Sequence, residues 1–157
     1  MKPNIGMTDT QRKTVCGVLS SLLADEYVLY TKARNYHWNV EGPQFDQLHK
    51  FFQAQYEMID IIVDDVAERI RALGHKSPGT LAEFVKETRL TERPASHPVA
   101  KDMLSLLALD HESIIRSLRT DIAAVEKQHD AGTVDFLVGL MEQHEKSAWM
   151  VRAFGGE

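Results

Sequence analysis

The chain has 157 residues, 43% apolar and 26% charged, a length and balance that suit one domain around a single substantial core. Its net charge of −5 excludes a general attraction to nucleic acid or anionic membrane and fits a protein that gathers cations. The single cysteine, Cys16, excludes an internal disulfide framework, and the chain has neither a bilayer-spanning apolar run nor the apolar stretch of a secretory signal, so the expected location is cytoplasmic.

Helical periodicity runs through four long segments, and sustained strand alternation through none. The first extends from about Thr8 to Trp38, with Val15, Leu19, Leu22, Leu29, Ala33 and Tyr36 on its apolar stripe. Cys16 lies among Val15, Val18 and Leu19 and reads as a small buried apolar residue, not a reactive thiol. A second helix opens after Gly42 and Pro43, where proline suits a first turn. It keeps Phe45, Leu48, Phe52, Tyr56, Ile59, Val63, Val66, Ile70 and Leu73 at steps of three and four, and Gly74 reads as its C-cap. Residues 74–96 hold Gly74, Pro78, Gly79 and Pro94 around one short apolar stretch at 81–85, which predicts a long crossover carrying a helix of a turn or two.

A third helix is predicted from near Ser96 and Pro98, with Val99, Met103, Leu107, Ile114, Leu118, Ile122 and Val125 on one face. A fourth starts at Asp130, a good N-cap, and runs to about Phe154 through Val134, Leu137, Met141, Ala148 and Val151. Short connections join the first pair and the last pair, with one long connection between the pairs. The predicted fold is therefore all-α, a four-helix bundle with one long crossover. One domain is expected over 1–157, with 1–8 as a short N-terminal tail.

The second helix region collects His37, His49, Asp64 and Glu68. Asp64 and Glu68 are four apart and project from one helical face, a spacing that solvated surfaces also use. His49 makes the pair informative. It stands fifteen residues before Asp64 on one predicted helix, roughly 22 Å away at ~1.5 Å per residue. Metal–ligand bonds are only about 2 Å long, so one chain cannot bring both groups to one ion. Two copies can, if their second helices pack antiparallel across a twofold axis, so that His49 of one faces Asp64 and Glu68 of the other. His37 joins the histidine side because the connection from residue 38 to Pro43 is short. Two imidazoles and one or two carboxylates with an open position suit ferrous iron and oxidant chemistry.

The runs Tyr36-His37-Trp38-Asn39-Val40-Glu41-Gly42, Phe45, Leu48-His49, Asp64-Asp65-Val66-Ala67-Glu68-Arg69-Ile70 and Leu73-Gly74 resemble the paired signatures of the Dps family of mini-ferritins. The resemblance extends through Asp110-His111-Glu112 to His144-Glu145-Lys146 with Trp149-Met150, nearly the whole chain. It implies a ferritin-like bundle assembled into a hollow dodecamer of roughly 214 kDa from 17.8 kDa subunits, built from twofold dimers. It further implies ferroxidase centres at the dimer interface, with His37 and His49 from one subunit and Asp64 and Glu68 from its partner. Iron, as Fe(II) and then stored Fe(III) mineral, would be oxidised by hydrogen peroxide or, more slowly, dioxygen, which protects against oxidative damage. Trp38 would stand beside the centre, a place that core packing explains as well.

One departure concerns the residue one turn after the second histidine, usually acidic in such proteins and here Gln53. A neutral amide balances no cation charge, so the second iron position is expected to be weak or water-mediated, with Glu57 or Asp60 as substitutes. Asp135, Glu142 and Glu145 fall near one face of the fourth helix, where the resemblance implies a threefold iron-entry channel and a solvated face is the alternative.

Glu26, His111 and His144 each break an apolar stripe roughly 12 to 14 residues from a helix end, which places them at one height inside the bundle. A buried hydrogen-bonded cluster is expected there. The alternative is an intrasubunit di-iron site as in a classical ferritin, although the only Glu-x-x-His pair, Glu126 and His129, lies at a helix end. His75, His97 and His129 also lie at or near helix ends and read as surface residues. A nucleoid-compacting, DNA-binding role is the other alternative. The tail offers it only Lys2, with Arg12 and Lys13 just inside the first helix.

Overall fold

A computed structural model describes residues 3–156, and these form five helices with no strand among them. They are α1 (Asp9–Asn39), α2 (Phe45–Ala72), α3 (Leu81–Glu87), α4 (Ala100–Glu126) and α5 (Ala131–Gly155). α1 pairs with α2 and α4 with α5 along their lengths, and α1 meets α4 to join the two pairs. The crossover helix α3 lies on α1. The all-α bundle with one long crossover is the architecture that the periodicity predicts.

The ends follow from local chemistry. Thr8 caps α1 in a reciprocal box with Gln11, and Thr80 caps α3 in the same way with Glu83. Asp130 caps α5 by accepting from the Thr133 N–H at 3.1 Å. At the end of α2, Gly74 takes φ +89° while the His75 N–H returns to the Ile70 carbonyl and the Gly74 N–H to that of Arg71. This is a Schellman closure, and glycine enters its left-handed position without strain. The Pro3 ring packs where a Gly74 Cβ would stand.

Two starts differ from the sequence expectation. α2 begins at Phe45, not at Pro43, because the Phe45 N–H first closes a tight turn onto the Gly42 carbonyl, with Gly42 at φ +116°. α4 begins at Ala100, because Val99, its N-cap, remains extended at ψ 160°. α3 runs two residues past the predicted stretch, and its Phe84 stacks on Tyr27 with ring centroids 4.4 Å apart.

The core is continuous and draws on all five helices, with Leu19, Leu29, Phe52, Ile59, Leu107, Leu118 and Leu137 fully buried. A charged clamp holds the crossover to it. Buried Asp25 accepts from the Arg89 N–H at 2.6 Å, from Arg89 Nε at 2.7 Å and from the Thr88 hydroxyl at 3.0 Å. Arg89 Nη1 reaches both oxygens of Asp121 at 3.0 Å, which binds α1, the crossover and α4 at one point. Burial pushes the Asp121 carboxyl up, and Arg89 opposes that shift.

Candidate metal centre

His37 lies in the last turn of α1 and His49 in the second turn of α2, separated only by the turn at 40–44. The last four carbonyls of a helix lack intrahelical partners, and that of His37 is one of them. His49 Nδ1 donates to it at 2.8 Å, and His37 Nδ1 donates to the His49 carbonyl at 2.8 Å. A carbonyl oxygen can only accept, so both Nδ1 atoms carry hydrogen and Nε2 is the nitrogen left over on each ring. This is the outer-shell bond that orients histidine ligands. The rings stack with centroids 3.7 Å apart, Phe45 covers His49 at 5.1 Å, and the edge of Tyr56 meets His37 at 5.3 Å.

Asp64 and Glu68 project into solvent from α2, which runs unbroken from Phe45 to Ala72. The rod that separates Asp64 from His49 by roughly 22 Å, and Glu68 from His49 by roughly 28 Å, is thus continuous. Among the described residues no group of three or more His, Cys, Asp or Glu side chains converges as a metal site. The structure therefore joins His37 with His49 and leaves Asp64 and Glu68 apart from them. The outward side of this region also exposes large apolar side chains, with Trp38, Phe45 and Ile61 65%, 47% and 65% accessible.

The sequence profile of the ferritin-like domain matches residues 17–156. The chain is 43% identical over 152 residues to an uncharacterized low temperature-induced protein of Nostoc sp., covering 96% of this chain and 85% of that one. It is 37% identical over 142 residues to the DNA protection during starvation protein 2 of Bacillus anthracis, covering 90% and 97% respectively. The chain belongs to the Dps family of ferritin-like proteins. Its fold matches the crystal structure of a Dps protein from Vibrio cholerae with TM-score 0.91 and 26% identity, over 98% of this chain and 96% of that one. That protein is described as a member of a broad superfamily of ferritin-like diiron-carboxylate proteins.

In this Dps-family chain Trp38 is exposed, so core packing does not account for it; the Arg34 guanidinium lies 5.3 Å from its ring. Gln53 Nε2 donates to Glu57 Oε1 at 2.7 Å, and Asp60 is exposed one turn beyond. Asp135 and Glu142 are exposed on α5, and Glu145 is bound by Arg119 Nη2 at 2.7 Å. His97 and His129 are exposed, His75 is half-buried, and His129 adopts φ +59° after α4.

The polar residues inside the bundle do meet. His144 Nε2 lies 2.8 Å from Glu26 Oε1, His144 Nδ1 lies 2.9 Å from His111 Nδ1, and His111 Nε2 lies 3.2 Å from Gln55 Oε1. One residue comes from each long helix, all are buried, and the contacts form a line instead of converging on a point. Gln55 is the member that sequence reasoning missed. The signal was present, because Gln55 occupies the stripe of Phe52, Ile59, Ile62 and Val66.

Proposed function

We propose that the protein is a ferroxidase and iron store that works as a hollow dodecamer. Two copies of α2 pack antiparallel, and His37 and His49 of one subunit meet Asp64 and Glu68 of the partner. The observation that carries this reading is the pair of imidazoles with Nε2 free, held on the same unbroken rod as two exposed acids that it cannot reach. The exposed Ile61, Trp38 and Phe45 are the apolar surface that such a contact would cover.

Ferrous iron is the substrate. Two ferrous ions each give one electron to hydrogen peroxide, the O–O bond breaks, and two protons complete two waters. Dioxygen serves more slowly as the oxidant. The residues supply position and deprotonated ligands, Trp38 and Gln53 flank the centre, and the ferric product passes inward as mineral. Asp135, Glu142 and Glu145 fit an entry channel on α5. The expected setting is the cytoplasm, and no described helix is long and apolar enough to cross a membrane.

A DNA-compacting role has less to build on. Arg12 is buried and spends its guanidinium on the Met7 carbonyl at 2.7 Å, the Pro3 carbonyl and Asp9, which leaves Lys13 as the exposed cation at this end of α1. Lys2 lies outside the described residues. The intrasubunit di-iron alternative requires convergent ligands, and the line through Glu26 has none.

The test is an anaerobic ferrous titration followed by peroxide, on protein of measured mass. Saturable binding and oxidation by a particle of twelve subunits supports the reading. Full activity in a monomer, or oxidation lost in His111→Ala but kept in His49→Ala, overturns it.

A further inference from the structure

We propose that the buried line Glu26–His144–His111–Gln55 is an acid-operated latch that ties α4 and α5 to each other and to α1 across the bundle centre. The line has three links and holds three hydrogens. Gln55 Oε1 accepts, so His111 Nε2 carries the first. A neutral His111 then offers Nδ1 as acceptor, so His144 Nδ1 carries the second. The third lies between His144 Nε2 and Glu26 Oε1, and the whole is neutral wherever along that link it rests. Turning the Gln55 amide would reverse the line and leave the Glu26 carboxylate as an uncompensated buried charge, which a dry interior penalises heavily.

A fourth proton has no good place. On His111 Nδ1 it would point at the hydrogen of His144 Nδ1 across 2.9 Å. On Glu26 Oε2, which is buried without a hydrogen-bond partner, it would leave the line with a net positive charge. The polar groups contacting the imidazoles among the described residues are Glu26 from α1 and Gln55 from α2; α4 and α5 contribute only the two rings themselves. No further carboxylate takes up the charge. Burial, and secondarily the His144 ring, holds His111 well below the usual histidine range, in keeping with this exclusion. The open state accepts the proton in water, so acid favours separation of α4 from α5. Because the native His111 is depressed, its cost to stability is absent above its ordinary value and grows as pH falls below about 6.5.

The experiment follows two signals in the full-length assembly between about pH 7 and about pH 5, by mass spectrometry. One is exchange at the His111 ring carbon, which reports protonation. The other is amide exchange in α4 around His111 and in α5 around His144, corrected for intrinsic rate. The expected result is that both change together, with amide protection falling on the order of tenfold. In His111→Met, protection in α4 and α5 stays level over the same range. A His111 ring that gains its proton while these amides stay protected overturns the proposal. So does unchanged protection in the native chain, or an identical pH response in His111→Met. Should that variant fail to fold, the two signals in the native chain decide by themselves.

Discussion

His37 and His49 lock one another: each ring donates its Nδ1 hydrogen to the other's backbone carbonyl at 2.8 Å, so each fixes the tautomer and the angle of its neighbour. The lock forms between α1 and α2 of one subunit, across the short turn at 40–44. A ligand pair made in this way needs no second copy to be oriented. On the proposed function it needs one only to be completed.

Complementation between copies tests that division. Subunits with His37→Ala and His49→Ala, and subunits with Asp64→Ala and Glu68→Ala, are each expected to be inactive. Random reassembly of equal amounts places them in mixed dimers half the time, and each mixed dimer has one intact centre, so about one quarter of the native oxidation rate should return. Rates of peroxide-dependent ferrous oxidation read this out. No recovery from a correctly reassembled mixture would refute sharing between subunits.

Gln53→Glu should tighten the second ferrous ion by about tenfold, the effect of about 1.4 kcal/mol from an added carboxylate. The native amide donates to Glu57 at 2.7 Å, whereas two acids one turn apart repel until a cation lies between them. Anaerobic titration should show a second binding phase strengthened and the first nearly unchanged. An identical isotherm would show that position 53 does not face the cation.

Arg89→Ala removes the partner of a carboxylate that is fully buried at Asp25 and nearly so at Asp121. Stranding buried charge is among the costlier single changes, and a loss of about 3 kcal/mol is expected. Denaturant unfolding followed by helical circular dichroism measures it. A change below about 1 kcal/mol would place the hold on the crossover elsewhere, in Phe84 and its stack on Tyr27.

Tyr36 gives an alkaline signature. Burial, with a smaller contribution from Asp110, pushes its phenol from 10.0 up to about 12. The native state keeps its proton where the unfolded chain has lost it. Stability is therefore intact below about pH 10 and falls as pH rises through about 12, by roughly 2 to 3 kcal/mol in total. Denaturation curves across that range should fall more steeply in the native chain than in Tyr36→Phe, by that amount.

The helices and the crossover were readable because three-to-four periodicity and capping residues are local signals, as at Thr8, Gly74 and Asp130. The starts of α2 and α4 were read early because Pro43 and Pro98 look like first-turn residues yet sit in the turns before them. The separation of His49 from Asp64 was legible as a length along one rod. The reciprocal lock was not, since it runs through backbone carbonyls that no side-chain pattern encodes. Gln55 escaped because a lone amide on an apolar stripe carries no ligand signal, although here it closes the line. Asp25, Arg89 and Asp121 are too distant in sequence for any local rule to pair them.

On the proposed function, the unbroken span of α2 becomes an assembly checkpoint. If the centre is shared as proposed, a newly made subunit carries oriented imidazoles but lacks the partner's carboxylates, and it stays chemically silent toward ferrous iron. Reactivity would then be switched on by the same contact that begins to enclose a compartment. Rust would form only where there is already a vessel to receive it.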